Sequence, residues 1–132
     1  ETAENFGILD RLTTIPGNLH EVSIPDTAYD LAIVANVTHL QTPEQNTAIF
    51  DRLHGSLKPN GELMIVDAFR GSSQGDVPLT LYHLGLALRT RGGRVYSPRE
   101  LHEMLGDRFH RPTITPLDVP PHMVGMLVAK KR

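Results

Sequence analysis

An apolar run from Leu31 to Val37 is the strongest strand signal in the chain, and it leads into polar residues and a helix start. Near-continuous hydrophobicity, rather than alternation, is typical of a strand in a sheet with helices on both faces. The next helix is marked by Thr42 as N-cap, Pro43 in its first turn and Gln45 completing a capping box. A buried strand followed at once by a helix predicts an α/β fold with parallel strands.

Strand and helix patterns alternate along much of the chain. Because the last two strands have no helix between them, we expect them to be antiparallel neighbours. We therefore predict a mostly parallel sheet flanked by helices, with an antiparallel last strand. The further predicted elements are a helix end in residues 1–8, strands at Leu12–Ile15, Leu19–Ile24, Leu63–Val66, Thr113–Leu117 and Val124–Ala129, a turn at Lys58–Gly61, a loop at Gly71–Gly75, and helices at Val77–Arg89 and from Ser97 onward.

Composition excludes several kinds of partner and site. With 132 residues and a formal net charge of −2, the chain suits one domain and shows no general affinity for nucleic acid or acidic membranes. It has no cysteine, which excludes disulfides and thiolate metal sites and fits a cytoplasmic protein. Its seven histidines form no i,i+4 pair and no H-E-x-x-H motif, so we expect no metal site. No apolar run is long enough to cross a membrane.

Polar side chains follow three of the predicted strands at the point where each ends. Asn18 follows the strand predicted at 12–15. Asn36 and His39 lie at the end of the apolar run 31–37, and Asp67 follows the strand predicted at 63–66. In open α/β sheets, ligands bind in the crevice beyond the carboxyl ends of the strands. These positions are therefore the candidate site.

Three stretches carry a resemblance to a known family. They are "YDLAIVANVTHL", "LHGSLKPNGELMIVDAF" and "GGRVYSPRELHEML". Together they resemble the C-terminal half of a class I S-adenosylmethionine-dependent methyltransferase, and are most similar to the small-molecule O-methyltransferases. The resemblance implies a partial Rossmann-like sheet that lacks the first two family strands, with residues 1–132 forming the C-terminal part of one catalytic domain. A nicotinamide dehydrogenase fragment would share the sheet, but these stretches favour the methyltransferases.

The resemblance also implies roles for individual residues. His39 matches the family's catalytic base, which lies just past this strand. Asn36 matches a position that lines the methyl-donor site, and Asn18 with Leu19 matches the position that flanks the adenine. Read from the residues alone, His39 could simply cap the next helix or bond to the backbone, Asn36 could close its strand, and Asn18 could be only a turn residue.

The chain departs from the family at several positions. Leu40 and Gln41 stand where the plant enzymes have an acidic and an aromatic residue, and Val95 occupies one place where a carboxylate partner of the base is expected. No glycine-rich loop motif is present either, so the resemblance implies that the chain holds half of a cofactor site.

Asp67, Tyr82 and His83 are predicted to line the substrate pocket. Each has a plainer interpretation as well. Asp67 could end its strand or pair with Arg70, Tyr82 could pack in the core, and His83 could face solvent.

The function implied is methyl transfer from S-adenosylmethionine to a hydroxyl of a small molecule, with this chain carrying the acceptor-side half of the site. The alternative is a non-catalytic, truncated methyltransferase-like module that binds a partner chain. In either case an apolar edge at Leu31–Val37 is an aggregation hazard. We expect it to be covered by an N-terminal segment, by another chain as in a homodimer, or by the "LTTIP" residues rearranged as a strand.

Overall fold

Helices and strands alternate in the computed structural model, which describes residues 2–71, 77–117 and 124–132. Within those residues the helices are α1 (Thr2–Asn5), α2 (Pro43–Ser56), α3 (Val77–Arg89) and α4 (Pro98–Leu105). The strands are β1 (Tyr29–Ala35), β2 (Leu57–Ala68), β3 (Phe109–Leu117) and β4 (Val124–Lys131). Short 3₁₀ turns lie at Leu9–Arg11, Thr38–Leu40 and Gly106–Arg108.

The described strands form one sheet in the order β1–β2–β4–β3. β1 and β2 are parallel, and their register pairs Ala35 with Val66 at the carboxyl ends of both strands. β4 is antiparallel to both β2 and β3, so it alone runs against the other described strands. The prediction of a mostly parallel sheet with an antiparallel last strand is confirmed, and so is the antiparallel pairing of the last two strands.

β2 begins earlier than predicted, at Leu57, and includes the residues predicted to form a turn. These residues still bend the chain, because the register of β2 with β1 shifts opposite them, between Tyr29 and Leu31. Asn60 has a left-handed φ of 65°, and a Cβ on Gly61 would lie 3.0 Å from the carbonyl oxygen of Lys58. The bend is therefore accommodated inside a strand because β1 runs alongside it.

The predicted strands at Leu12–Ile15 and Leu19–Ile24 are wrong, because no strand precedes β1 in the residues that the structure describes. Asn18 instead starts a turn, in which its carbonyl oxygen accepts from the amides of Glu21 and Val22 at 2.9 and 2.8 Å. Local hydrogen bonds of this kind compete with strand pairing, and the apolar alternation here is too weak to overcome them.

The helix starts follow the predicted capping boxes. At α2, Thr42 Oγ1 accepts from the Gln45 amide at 3.3 Å, while Gln45 Oε1 accepts from the Thr42 amide at 2.8 Å. At α4, Ser97 and Glu100 form the same reciprocal pair. These caps satisfy amides that would otherwise lack partners at the first turn.

The other helices agree with prediction too. α3 has the predicted bounds, and α1 is followed by Gly7 with a φ of 63°, the left-handed conformation expected after a helix. The predicted loop at Gly71–Gly75 lies outside the described residues except for Gly71. None of the described helices has both the length and the apolar character needed to cross a membrane.

Two buried clusters position the carboxyl edge of the sheet. The main core joins α2 and α4 to one face of the sheet, and its fully buried members include Phe50, Leu57, Leu63, Ile65, Leu101, Leu105 and Leu127. A smaller cluster joins α3 to the end of β2 and to the segment before α4, through Ala68, Leu79, Leu86 and Val95, with Tyr82 packed against it. α3 is thereby placed beside the edge where β1 and β2 end.

Candidate active site

A single 3₁₀ turn at Thr38–Leu40 places His39 at the carboxyl end of β1. Asn36 begins the change of direction, with a left-handed φ of 55°, and its amide donates to the carbonyl oxygen of Val66 at 2.9 Å. That bond continues the β1–β2 pairing one residue past the end of β1. Consequently the turn lies directly beside the end of β2.

Asp67 is the group that holds His39. Its Oδ1 accepts from His39 Nδ1 at 2.7 Å and from the Ala68 amide at 2.8 Å. Its Oδ2 accepts from Thr38 Oγ1 at 2.5 Å and from the His39 amide at 3.3 Å. The carboxylate is 1% exposed, so four protein donors replace the water it would otherwise bind.

The protonation of Asp67 determines which nitrogen of His39 can take a proton. Burial raises the pKa of Asp67, but hydrogen bonds from His39 and Thr38 and the attraction of the imidazole outweigh burial and lower the pKa overall. An ionised carboxylate only accepts, so Nδ1 must carry a hydrogen and donate it. In the neutral ring, Nε2 is then the free base nitrogen.

Tyr82, on α3, meets that nitrogen. Its hydroxyl oxygen lies 3.0 Å from His39 Nε2, and the two rings meet edge to face with centroids 5.6 Å apart. Burial raises the pKa of the Tyr82 hydroxyl, and the negative charge of Asp67 raises it further. The hydroxyl therefore keeps its proton near neutral pH and donates it toward Nε2.

The carbonyl groups of the His39 turn are held from two sides. Asn46, on α2, donates its Nδ2 to the Thr38 carbonyl oxygen at 3.0 Å. The Tyr96 hydroxyl donates to the Gln41 carbonyl oxygen at 2.6 Å. Buried carbonyl groups without such partners would cost free energy, so these bonds fix the turn and with it the imidazole.

The glycines of the "GGRVYS" segment let it approach the turn closely. The Arg94 amide donates to the His39 carbonyl oxygen at 2.8 Å. A Cβ on Gly93 would lie 2.8 Å from the same carbonyl oxygen and 2.3 Å from Thr90 Oγ1. Only a glycine fits at this position without displacing the backbone that carries His39.

These contacts decide which group pairs with Asp67. Asp67 pairs with His39 and not with Arg70, which pairs with Glu100 at 3.0 Å. Asp67 is 1% exposed and holds the imidazole, and its assignment to the substrate pocket stays a prediction. Sequence reasoning found no carboxylate partner for His39, and the structure supplies Asp67.

A signal for that partnership was present in the sequence. His39 and Asp67 each come shortly after the apolar part of a predicted buried strand, and neighbouring parallel strands end at one edge of the sheet. Val95, in the place where a carboxylate was expected, is instead buried in the smaller apolar cluster.

The other predicted site residues are less closely associated with His39. His83 is half-buried on α3 and forms no hydrogen bond with His39 in the part of the chain that the structure describes. Leu19 is 37% exposed in the turn before β1. The side-chain amide of Asn18 donates to Glu21 Oε1 at 3.1 Å and its Oδ1 accepts from the His20 amide at 3.1 Å, so it shapes that turn.

The same turn is connected to the His39 region by one side-chain contact, between His20 Nε2 and Gln41 Oε1 at 2.9 Å. Among residues 2–71, 77–117 and 124–132, no group of histidine and acidic side chains is arranged to hold a metal ion.

Comparison with known proteins places this geometry in a family. The chain is 31% identical, over 134 aligned residues, to an L-tyrosine C(3)-methyltransferase of Streptomyces lavendulae, covering 95% of this chain and 35% of that protein. It superimposes on an O-methyltransferase family 2 protein from Planctomyces limnophilus, solved in complex with apigenin, with a TM-score of 0.83, 25% identity and coverage of 98% of this chain and 38% of that one.

The fold is also that of human N-acetylserotonin methyltransferase, solved with S-adenosylmethionine (TM-score 0.73, 20% identity, 87% of this chain and 32% of that one). This chain spans about a third of the length of these relatives. Residues 1–110 match the O-methyltransferase domain, which is most of the chain. The chain therefore belongs to the O-methyltransferase domain family of class I S-adenosylmethionine-dependent methyltransferases.

Proposed function

We propose that this chain supplies the acceptor-side half of a methyltransferase site, in which His39 removes the proton of an acceptor hydroxyl. The observation that carries the proposal is the 2.7 Å bond between His39 Nδ1 and the buried Asp67 carboxylate. It holds the neutral imidazole in the form whose Nε2 accepts a proton, at the carboxyl edge of the sheet.

Asp67 makes His39 a stronger base because it stabilises the imidazolium that forms when the proton is transferred. When Nε2 is protonated the imidazole becomes a cation, and the adjacent carboxylate stabilises that cation in a site sheltered from water. The acceptor oxygen, stripped of its proton, is a stronger nucleophile. S-adenosylmethionine, when bound, supplies the electrophilic methyl group.

The same proton removal serves both kinds of methyl transfer named among the relatives. Deprotonating a phenol places negative charge on its oxygen and on the ring carbons ortho and para to it, so one base supports O- and C-methylation alike. The position of the methyl group relative to the acceptor then decides between them. We propose a hydroxyl-bearing small molecule as the acceptor, with O-methylation as the first expectation.

On the donor side, Asn36 and Leu19 have the character that S-adenosylmethionine would need. Asn36 is exposed directly after β1, and its side chain has no hydrogen-bond partner among the described residues. Leu19 offers exposed apolar surface suited to an adenine face, and Asn18 shapes the turn that carries it. We assign these three residues to the cofactor side. The absence of a glycine-rich loop motif from the sequence means that they would form only part of that site.

A non-catalytic interaction module is the second candidate. It is favoured by apolar side chains that remain exposed on β1 and α3, including Ile33 at 59% and Leu88 at 78%. A surface of this kind suits a partner chain. The two functions differ in what they require of His39, since a module that only binds a partner has no use for a base.

Calorimetric titration with S-adenosylhomocysteine separates the two. We expect binding by a polypeptide of the relatives' length that contains this chain, and weaker or no binding by residues 1–132 alone. Absence of binding by both favours the interaction module.

In the longer polypeptide, His39→Gln should lower turnover by about 10²- to 10⁴-fold, the usual contribution of a general base, with affinity for S-adenosylhomocysteine unchanged. His102→Gln is the matched control, because His102 is exposed on α4. Turnover of H39Q equal to that of H102Q would remove His39 from the mechanism.

A further inference from the structure

The base nitrogen of His39 does not face open space. His39 is 7% exposed, and the hydroxyl of Tyr82 lies 3.0 Å from Nε2. An acceptor hydroxyl could reach Nε2 only by displacing Tyr82. Tyr82, in contrast, is only half-buried, and we take its hydroxyl as the group that meets the acceptor.

The Tyr82 ring is held in place by apolar contacts. It packs against the cluster of Ala68, Leu79, Leu86 and Val95, while its hydroxyl points at the imidazole. This anchoring keeps the phenol group aligned with the Asp67–His39 pair. The three side chains form one continuous chain of hydrogen bonds from a buried carboxylate to a half-buried tyrosine.

Resting on the proposed function, we propose that Tyr82 is a further catalytic residue, which passes the acceptor's proton to His39, and that the acceptor is a phenol. The acceptor O–H bond breaks as a new O–H bond forms at Tyr82 Oη. The proton that Tyr82 already held moves to His39 Nε2. The products are an acceptor oxyanion and an imidazolium paired with Asp67, with Tyr82 again neutral.

The choice of a phenol follows from matched acidity. A tyrosine hydroxyl has an ordinary pKa of about 10, and burial and the charge of Asp67 raise the pKa of Tyr82 above it, so a phenolic acceptor is an acid of the same class or a stronger one. Proton exchange between two phenols costs little free energy, whereas an aliphatic alcohol is a far weaker acid and would have to give up its proton uphill. The relay is therefore suited to phenols and poorly suited to alcohols.

Tyr82→Phe tests the relay because it removes only the hydroxyl. The probes are catechol, L-tyrosine and benzyl alcohol as acceptors, with S-adenosylmethionine as donor and a polypeptide of the relatives' length that contains this chain. We expect Y82F to lower kcat on a phenol by about 100-fold or more, without weakening S-adenosylhomocysteine binding. The control is Tyr29→Phe, since Tyr29 is an exposed tyrosine on β1.

The double variant distinguishes a relay from a structural role. If Tyr82 acts through His39, Y82F combined with H39Q should be no slower than H39Q alone. Three outcomes would each overturn the proposal. The Y82F enzyme could be as fast as Y29F, or the losses of the two single variants could multiply in the double variant. The enzyme could also methylate benzyl alcohol but neither phenol. Loss of activity in H39Q with full activity in Y82F would leave the proposed function intact and remove only the relay.

A spectroscopic measurement needs no turnover. In residues 1–132 labelled with ¹⁵N-histidine, the His39 spectrum should show a hydrogen on Nδ1 and a bare Nε2, and the Nε2 signal should shift in Y82F but not in Y29F. An unchanged Nε2 signal in Y82F would show that the hydrogen bond is absent and would overturn the relay, whatever the outcome for S-adenosylmethionine binding.

Discussion

At the scale of single residues, the decisive feature is a carboxylate buried with all of its partners. Asp67 accepts hydrogen bonds from both the side chain and the amide of His39, and from Thr38 and Ala68. A charge buried this deeply persists only when it is fully satisfied. The orientation of the imidazole is therefore coupled to the ionisation of one side chain.

Asp67→Asn should separate geometry from charge. The amide is close in size, but it cannot stabilise an imidazolium, and its NH₂ group would favour the wrong His39 tautomer. We expect turnover to fall by about 10²- to 10⁴-fold, with affinity for S-adenosylhomocysteine unchanged. Asp30→Asn is the control, because that carboxylate is exposed and pairs with Lys58 on the surface. Comparable kinetics for D67N and D30N would contradict the assignment.

The ionisation of Asp67 also predicts how stability depends on pH. Burial raises the pKa of Asp67, yet the hydrogen bonds from His39 and Thr38 leave it lower in the folded chain than the ordinary value of about 3.9. The stabilisation is thus fully present above that ordinary value and is lost as the pH falls through the folded-state pKa. Urea unfolding from about pH 7 to pH 3 should show a steeper acid loss in wild type than in D67N. Parallel curves would mean that the carboxylate is not stabilised by folding.

At the scale of elements, the His39 turn is held by two neighbours that the chain reaches by different routes. α2 follows the turn directly and contributes Asn46, while the segment before α4 returns to it and contributes the Arg94 amide and Tyr96. The close contact at Gly93 is the most sensitive point of this packing.

Gly93→Ala should destabilise the fold by about 1–3 kcal/mol, the usual cost of overpacking, because its Cβ would collide with the backbone that carries His39. Gly55→Ala is the matched control: its Cβ would lie 3.6 Å from Asp26 Oδ1, and the helical backbone of α2 favours alanine by about 0.5–1 kcal/mol. Thermal or urea unfolding of the two variants measures the contrast. If G93A were as stable as G55A, the turn would not be as tightly packed as this contact indicates.

At the scale of the whole molecule, the outer strand β1 is paired on one side only, with β2, among the described residues. Leu31 is 42% exposed on this strand, and the predicted cover by the "LTTIP" residues is wrong because residues 12–15 form no strand. Cover by an N-terminal segment or by another chain stays a prediction. The chain spans about a third of the length of its relatives.

An uncovered apolar edge predicts self-association of residues 1–132. Light scattering after size exclusion should show a concentration-dependent rise in mass, and Ile33→Lys should reduce it by placing a charge on β1. Leu9→Lys is the control, because Leu9 is 55% exposed but lies in a 3₁₀ turn that is not part of the sheet. A monomer at every concentration would show that this edge does not drive association.

The sequence alone determined the features that depend on neighbours along the chain. The starts of α2 and α4 were predicted correctly because a capping box closes within four residues. The apolar run from Leu31 to Val37 predicted β1, and the family resemblance implied His39 as the catalytic base. The weak patterns at Leu12–Ile15 and Leu19–Ile24 gave wrong predictions, and at the second of them local turn bonds replace strand pairing.

Only the tertiary structure decided which side chains meet. Asp67 lies 28 residues from His39, and Tyr82 lies 43 residues from it. These three come together because parallel pairing aligns the ends of β1 and β2, and because apolar packing sets α3 beside that edge. Both depend on contacts between distant segments, which no local pattern specifies.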